Sequence, residues 1–369
     1  MAADRFARLE VKENPKEFEP KKVTVAFGRQ GVEKLVRCLG NEDVDVILHS
    51  LQILDASTLT IQKNVILLLK YRGVEALNAL SQIPDERVVL LAIQNLIHVA
   101  AVNAGCSRML ETKTLSNVTQ LLSSEETSSV VKQTAYGLLS TLSTRVECVK
   151  RLLKEDILEF LLERIEGEEA PALKIGAMKV IANCGRLPVS PRDPHKLVRG
   201  GGVAAVLGAG GGATVTICVK LLKHEHPLVA ANAAAILQVC SVTEQGRDIV
   251  VEAGAVKAMV ELLVSNSGPV RKAVSGALLS LTISEAGKKQ FHRMQGCYNL
   301  IDRLKKEASP DVLQNTIKIV SSMCCFPAAR NELKDDGAAE VLETVAAMTN
   351  SSTTKNLAQL AMQNVLWEP

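Results

Sequence analysis

Residues 254–281 read GAVKAMVELLVSNSGPVRKAVSGALLSL, and this stretch decides the fold. Gly254 is followed by an apolar segment with the spacing of one helical face, and a polar turn then leads to Pro269. Proline is favoured in the first turn of a helix because its missing N–H has no intrahelical partner there. The pattern therefore predicts two consecutive helices, the second one longer, joined by a tight turn.

The same unit recurs along the whole chain at a nearly constant spacing. Segments of this kind start at eight positions: Gly31, Gly73, Thr114, Asp156, Gly212, Gly254, Gly296 and Gly337. Neighbouring starts are 41 or 42 residues apart, except for 56 residues between the fourth and the fifth. Prolines precede the longer helix in five units (Pro84, Pro171, Pro227, Pro269 and Pro310), and Ser128 or Ser129 can cap it in another. A fixed period of this length indicates a repeat architecture.

Each unit places a small residue at the start of its longer, third helix, where it lets neighbouring helices approach: Ser50, Ala92, Ala135, Ala177, Ala233, Ser275, Thr316 and Ala358. A three-helix unit of this length resembles the armadillo repeat. The pattern G-A-V-x-x-M-V-E-L-L followed by P-V-R-K-x-x-x-x-A-L-L-S-L carries the resemblance most clearly. It implies an all-α fold, a right-handed superhelical solenoid of about eight repeats over residues 31–369, preceded by an N-terminal arm over residues 1–30. HEAT repeats, which have two helices and a similar period, are the structural alternative.

The composition excludes several classes of function. Hydrophobic residues make up 47% of the 369 residues, yet aromatic residues make up only 3%, and the net charge is +3. Proteins that grip a nucleic-acid backbone carry a larger basic excess, and single-strand binders need aromatic platforms for base stacking. We therefore expect protein partners, with no nucleic acid, no membrane, no small-molecule substrate and no cofactor.

The cysteines and the N-terminus indicate the compartment. The nine cysteines are scattered through apolar runs without a C-x-x-C pair, as expected for small buried hydrophobic residues. The charged N-terminus does not read as a signal peptide, and no window has the roughly 18–20 apolar residues of a membrane-spanning helix. These features predict a protein of the cytoplasm.

The long spacing between the fourth and fifth repeats predicts an insertion of about 14 residues within residues 186–214. This segment is rich in glycine and proline, so we expect it to be largely a loop. Its sequence VAAVLGAGGGAT also imitates a dinucleotide-binding fingerprint, G-x-G-x-x-A after an apolar strand. Because no acidic residue follows at the required distance and helical repeats lie on both sides, nucleotide binding is the least favoured function.

The sequence offers little that predicts catalysis or metal binding. His224 and His226 flank Glu225, but no third ligand lies nearby and Pro227 starts a helix directly afterwards. Cys324 and Cys325 are expected to pack in a helix. No Ser/His/Asp or Cys/His set stands out among the six histidines, so we expect no catalytic residues, no metal site and no enzymatic activity.

The armadillo resemblance implies that the second and sixth residues after each small residue face a concave groove. On that basis the partner-binding residues are predicted to be the following: Gln94, His98, Lys179, Asn183, Val239, Leu281, Lys318 and Ser322. Armadillo nuclear-import receptors carry Trp and Asn in these columns, and β-catenin-like adaptors carry a strongly basic groove. This chain has no Trp in the first column and small apolar residues at its centre, which suits an amphipathic partner helix or a neighbouring subunit. The alternative is that repeat stacking already covers the central residues.

The segment before the first repeat, PKKVTVAFGRQGVEKLVRCL over residues 20–39, is similar to armadillo-type subunits of the ciliary radial spoke. That resemblance implies a structural subunit of the axoneme, and Phe6, Phe18 and Phe27 are then expected to anchor the arm. We therefore predict a non-catalytic scaffold of a cilium or flagellum that binds other subunits through groove, loop and arm. The alternative is a soluble cytoplasmic armadillo adaptor that binds peptide segments in signalling or transport.

Overall fold

The computed structural model describes residues 29–188 and 201–368, and every regular element in those ranges is helical. The chain divides into two compact units, residues 1–105 and 106–369. The arm residues Phe6, Phe18 and Phe27 lie outside the described residues, as do residues 189–200, which the sequence placed within the insertion.

In its described residues, 29–105, the first unit contains five α-helices and the beginning of a sixth. They are α1 Arg29–Cys38, α2 Val44–Ile53 (continued by a π-helical turn, Leu54–Thr58), α3 Gln62–Lys70, α4 Gly73–Leu80 and α5 Glu86–Ala100, and α6 Asn103–Glu111 begins here. Asp43 and Asp85 cap α2 and α5 by accepting hydrogen bonds from backbone N–H groups two residues on.

The second unit continues the same succession. Its helices are α7 Thr114–Ser123, α8 Ser129–Leu142, α9 Val146–Lys154, α10 Ile157–Glu166, α11 Pro171–Arg186, α12 Gly201–Gly208, α13 Thr214–Leu221, α14 Pro227–Cys240, α15 Glu244–Glu252, α16 Ala255–Leu262, α17 Gly268–Leu281, α18 Glu285–Arg293, α19 Gly296–Lys306, α20 Pro310–Met323, α21 Pro327–Asp335, α22 Ala338–Met348 and α23 Ser352–Leu366. Three helices per repeat follow one another, as the sequence predicts.

The helices of the second unit fall into three classes by their place in the repeat. The first helices are α9, α12, α15, α18 and α21; the second helices are α7, α10, α13, α16, α19 and α22; the third helices are α8, α11, α14, α17, α20 and α23. Each third helix packs against the third helix of the next repeat, so one apolar core runs through the unit. This three-helix pattern confirms an all-α repeat solenoid and disfavours the two-helix alternative.

Helix starts agree with the sequence at the prolines. Pro171, Pro227, Pro269 and Pro310 all lie in the first two positions of a third helix, and Ser128 caps α8 by accepting a hydrogen bond from the N–H of Val131. The eight small residues are all fully buried. They lie in the middle of the third helices and not at their starts, because the tightest helix–helix contact falls halfway along each helix. Ala233, for example, is the seventh residue of α14.

Two glycines that the sequence assigned as helix breakers have a different role. Gly73 and Gly296 are the first residues of α4 and α19, and the residues before them, Arg72 and Gln295, adopt the left-handed conformation instead. A Cβ on Gly296 would overlap the Phe291 ring, so the missing side chain allows two helices to approach closely.

The expectation of a loop over residues 186–214 is wrong for the residues from 201 onwards. Gly201–Gly208 forms α12, which packs on α11, and a short 3₁₀ turn at Ala209–Gly212 leads into α13. A Cβ on Gly202 would overlap the carbonyl oxygens of Cys184 and Leu187. Gly246 of α15 and Gly287 of α18 lie in the same way against the carbonyl oxygens of Cys240 and Leu281. The glycines of α12 therefore serve close packing, and α12 is the first helix of its repeat.

Buried thiols form part of the core. Cys38 is partly exposed and Cys325 is exposed, and the other seven cysteines are buried. Burial raises the pKa of the Cys184 and Cys240 thiols to about 12, so both are neutral at physiological pH. This confirms that most cysteines act as small hydrophobic residues, and it leaves Cys325 as the fully accessible thiol of the described residues.

Candidate protein-interaction face

The third helices of the second unit carry the candidate site, and their charges set it apart. We define the third-helix face as the solvent-facing side chains of α8, α11, α14, α17, α20 and α23. These helices contain eight basic residues and one carboxylate: Lys132, Lys174, Lys179, Arg186, Arg271, Lys272, Lys318 and Lys355 against Asp311. The second helices of the same unit are nearly balanced, with Arg164, Lys220, Lys257, Arg303, Lys305 and Lys306 against Glu159, Glu163, Glu166, Glu261, Asp302, Glu340 and Glu343. The third helices therefore concentrate positive charge.

Some of these cations are already engaged. Lys174 is buried and donates to the carbonyl oxygen of Ile165 at 2.9 Å, and Lys272 pairs with Asp311. Lys179 and Lys318 are exposed and make no ion pair with any residue that the structure describes. Both were predicted from the sequence as partner-binding residues, and both are placed where a partner carboxylate can reach them.

The sixth residue after each small residue forms a second column with a structural role. Asn183 of α11 donates to the carbonyl oxygen of Ser140 at 3.2 Å and to Ser143 Oγ at 3.1 Å, both at the end of α8. Ser322 of α20 donates to the carbonyl oxygen of Thr282 at 2.8 Å, at the end of α17. Asn364 of α23 donates to Ser321 Oγ at 3.3 Å. These partly exposed side chains thus tie each third helix to the one before it.

The first unit shows the same link in another form. His98 of α5 lies 3.0 Å from Asp55, measured from Nε2 to Oδ1, and both side chains are about one third exposed. Gln94, one turn earlier, is half-buried on the same helix. Asn95 between them is fully buried and donates to the carbonyl oxygen of Leu51 at 3.1 Å. The sixth-residue position therefore also contacts the preceding repeat in this unit.

The prediction is wrong for the two apolar members of the column. Val239 is 5% exposed and Leu281 is fully buried, so neither is available to a partner on the surface. A Cβ on Gly185 would overlap Cγ1 of Val239, which shows that this valine fills the contact between α11 and α14. Ala277, also at the centre, is fully buried. Stacking of the repeats covers the central residues, which is the alternative that the sequence left open.

The described residues do not form the metal site or the nucleotide site that the sequence suggested as minor possibilities. The nitrogen Nδ1 of His224 accepts a hydrogen bond from the backbone N–H of His226 at 3.0 Å, as in a polar turn. Within residues 29–188 and 201–368, no group of three His, Cys, Asp or Glu residues is arranged to hold a metal ion. The segment that imitates a nucleotide fingerprint forms helix, 3₁₀ turn and helix, without the strand that the fingerprint requires.

Within the described ranges, no single helix combines the length and the hydrophobicity needed to cross a bilayer. Gly201–Gly212 and Thr214–Leu221 meet the requirement only when taken together, and they are bent by 85° relative to each other.

Comparison with known proteins identifies the architecture. A scan of protein-family models and a search of curated proteins give no match to this chain. Among solved structures, an engineered protein is similar with a TM-score of 0.73 and 22% identity, over 91% of this chain and 78% of the other. A designed armadillo repeat protein is similar with a TM-score of 0.56 and 20% identity, over 68% of this chain and 99% of the other. Another designed armadillo repeat protein, solved in complex with the peptide (KR)4, gives a TM-score of 0.57 and 18% identity over the same shares. The chain therefore has an armadillo-like repeat fold.

Two features of the site could not be found by testing residues against known groove columns. One is the scarcity of carboxylates on the third helices, which becomes visible only when charges are counted helix by helix. The other is the pairing of the sixth-residue column with the preceding repeat, and its sequence signal is the recurrence of Asn, Ser or His at that position.

Proposed function

We propose that this chain is a non-catalytic scaffold that binds protein segments through its third-helix face. The observation that carries the proposal is the charge distribution of the third helices, which contain eight basic residues and one carboxylate. Two of these basic residues, Lys179 and Lys318, are exposed and form no ion pair with a described residue. Repeat solenoids offer extended surfaces of this kind, and binding to them is governed by side chains that recur once per repeat. A structural neighbour of the same fold was solved in complex with a basic peptide, (KR)4. The positive charge of the face here favours an acidic segment.

The direct test is a titration with two synthetic peptides of opposite charge, (DE)4 and (KR)4, followed by fluorescence anisotropy. We expect the acidic peptide to bind more tightly, and we expect raised salt to weaken that binding because exposed charges are screened. Reversal of both cations, Lys179→Glu with Lys318→Glu, should remove the preference. A matched control is Lys220→Glu with Lys257→Glu, which changes the same charge on second helices. A preference for (KR)4, or equal loss in the control variant, contradicts the proposal.

We also propose a setting for this scaffold, the ciliary or flagellar axoneme, as a subunit of the radial spoke. This finer proposal rests on the similarity of residues 20–39 to armadillo-type spoke subunits, and residues 20–28 of that segment lie outside the described residues. Fractionation of ciliated cells tests it, because a spoke subunit is expected to remain with salt-washed axonemes. Recovery in the cytosolic fraction alone would favour the soluble adaptor instead.

A further inference from the structure

A row of exposed apolar side chains lies at the turns that follow the last four third helices. Val242, Ile283 and Trp367 are 62%, 59% and 57% exposed, and Cys325 is exposed as well. Each follows the end of α14, α17, α20 or α23 within two residues. We call these four side chains the turn row. The corresponding residues after α8 and α11 are Thr144 and Pro188, both exposed, so the large exposed side chains of the row are those after α14, α17 and α23.

The turn row is continuous along the stack of repeats. Successive third helices pack directly on one another, and packed helices have axes about 8–10 Å apart. Equivalent turn residues are therefore separated by one helix spacing each. A row of three large exposed apolar side chains and one exposed thiol, once per repeat, differs from the singly scattered apolar residues that every protein surface carries.

A column of cations accompanies the turn row. The guanidinium of Arg247 donates to the carbonyl oxygen of Val242 at 3.3 Å, and the ammonium of Lys288 donates to that of Ile283 at 3.2 Å. The guanidinium of Arg330 lies 4.8 Å from the centre of the Trp367 ring. Each cation is the fourth residue of its first helix, α15, α18 or α21.

These cations lack carboxylate partners. None of Arg247, Lys288 and Arg330 forms an ion pair with a residue in the described part of the chain, and Nε of Arg247 is buried without a hydrogen-bond partner. The nearest carboxylates in sequence are Asp248 for Arg247, Glu285 for Lys288 and Glu332 for Arg330. Glu285 pairs with Lys289 at 2.6 Å, and Glu332 pairs with His292 at 2.9 Å. Arg247, Lys288 and Arg330 thus lie beside the turn row without an ion-pair partner in the described part of the chain.

The row ends in a cleft between α20, α21 and α23. Its volume is about 620 Å³, and it is lined by Ser321, Cys325, Pro327, Arg330, Asn364 and Trp367. The cleft places an indole ring, a proline ring and a guanidinium around one recess. This combination suits an apolar side chain that is next to a carboxylate.

The spacing of the row favours a helical partner. In an α-helix, side chains seven residues apart lie on one face and recur about every 10.5 Å, just above the roughly 8–10 Å spacing of packed helices. In an extended strand, side chains on one face recur about every 6.6 Å, which lies further below that range. We propose that the turn row and its cations bind an amphipathic helix from another protein, with apolar residues at heptad spacing and Asp or Glu beside them. This inference concerns an edge of the second unit and does not depend on the third-helix face.

Selection from displayed peptides tests the assignment on the full chain. Two helix-forming libraries of about 21 residues, or three heptads, share apolar heptad positions, and one library has Glu at the flanking positions while the other has Lys. We expect peptides from the Glu library to be enriched at least about tenfold over the Lys library. Binding should shift the emission of Trp367, which is the only tryptophan of the chain.

The control variants decide whether the row is the site. Val242→Asp with Ile283→Asp should abolish enrichment of the Glu library, and Tyr298→Asp should leave it unchanged. Tyr298 is 67% exposed and lies on a second helix, α19, so it matches the exposed character of the row without belonging to it. Equal thermal unfolding of both variants shows that each one folds.

Several outcomes overturn the proposal. They are failure to enrich either library, equal enrichment of both, and full retention of binding by the doubly substituted row. Two other results assign the row to a different occupant. One is a dimer that the row substitutions dissociate, seen by sedimentation. The other is binding to phosphatidylserine vesicles without any peptide, which would assign the row to a membrane surface. Loss of (DE)4 binding alone bears on the third-helix face and leaves this inference untouched.

Discussion

Consecutive third helices of the second unit are connected by different contacts in the central repeats and in the flanking repeats. At the flanks, Asn183, Ser322 and Asn364 connect consecutive third helices by hydrogen bonds and stay partly exposed. At the centre, the same position holds Val239 and Leu281, which are buried against the neighbouring repeat. The difference shows that this column is first of all a joint between repeats. A side chain in this column can contact a partner only where the residue is polar and partly exposed to solvent.

The largest loss of stability is expected when a polar residue replaces an apolar one at a central position of this column. Leu281→Asn should destabilise the second unit by about 3 kcal/mol, because it leaves a cavity and buries an amide without partners. Urea unfolding followed by circular dichroism measures the loss. Ile283→Asn is the matched control, since Ile283 lies two residues further on and is 59% exposed. A control loss as large as that of Leu281→Asn would contradict the assignment.

An ion pair between Arg271 and Glu307 connects a central repeat to a flanking one. Its removal should have the next largest effect on the free energy of unfolding. Nε of Arg271 donates to Oε2 of Glu307 at 2.6 Å, and the backbone N–H of Ser309 donates to Oε1 at 3.0 Å. The Glu307 side chain is 1% exposed. Glu307→Gln should therefore cost about 2 kcal/mol at neutral pH, because it weakens charged hydrogen bonds at a buried site.

The same pair predicts a pH dependence. Burial alone would raise the pKa of Glu307, but the hydrogen bonds from Arg271 and Ser309 outweigh it and hold the pKa below its ordinary value of 4.5. Since the folded pKa is lowered, the stabilisation is present above pH 4.5 and is lost as the pH falls through the folded value. The stability difference between wild type and Glu307→Gln should shrink in acid. A difference that stays constant down to pH 2 would contradict this.

Removing the hydrogen bonds of a polar residue in this column should lower the free energy of unfolding by less than either of the two substitutions above. Asn183→Ala removes the hydrogen bonds to Ser140 and Ser143, and we expect a loss of about 1 kcal/mol in the free energy of unfolding. Asn232→Ala is the matched control, because the Asn232 amide donates only to Leu228 within its own helix. The two variants should differ in urea midpoint, and equal midpoints would mean that the bonds to the preceding repeat add nothing.

The smallest effect on stability is expected when the exposed cations Lys179 and Lys318 are replaced. Lys179→Ala and Lys318→Ala should each change the free energy of unfolding by less than about 0.5 kcal/mol. Both should nevertheless weaken binding of the (DE)4 peptide. Calorimetric unfolding together with the anisotropy titration separates the two quantities. A marked drop in unfolding temperature would assign these lysines to the fold and not to partner binding.

The repeat phase was predictable from the sequence because its signals are local. Pro171, Pro227 and Pro310 start helices wherever they occur in this context, and the buried small residues recur with the period of the fold. The helix α12 was not predictable in this way. Its glycines have low helix propensity, and one of them, Gly202, is required because a Cβ there would overlap the carbonyl oxygens of Cys184 and Leu187.

The site was predictable only in part, for a related reason. Lys179 and Lys318 are exposed, and a column position is enough to find such residues. Whether Val239 faces solvent depends on how closely α11 approaches α14, and that distance is set by Gly185 in another repeat. The cations of the turn row were missed because they lie on first helices, whereas sequence reasoning considered only the third helices.

The close approach of each first helix to the preceding third helix limits how this solenoid can be rearranged. Gly105, Gly246 and Gly287 are third residues of their helices and leave no room for a Cβ, whereas Cys148 and Ala329 occupy the same position with a side chain. The repeats are therefore not interchangeable parts, even though they share a length and a pattern. A deletion or duplication that placed Cys148 or Ala329 against a third helix that normally faces Gly105, Gly246 or Gly287 would bring a side chain into a contact that has no room for it. An exchange that keeps each first helix with its preceding third helix avoids this clash.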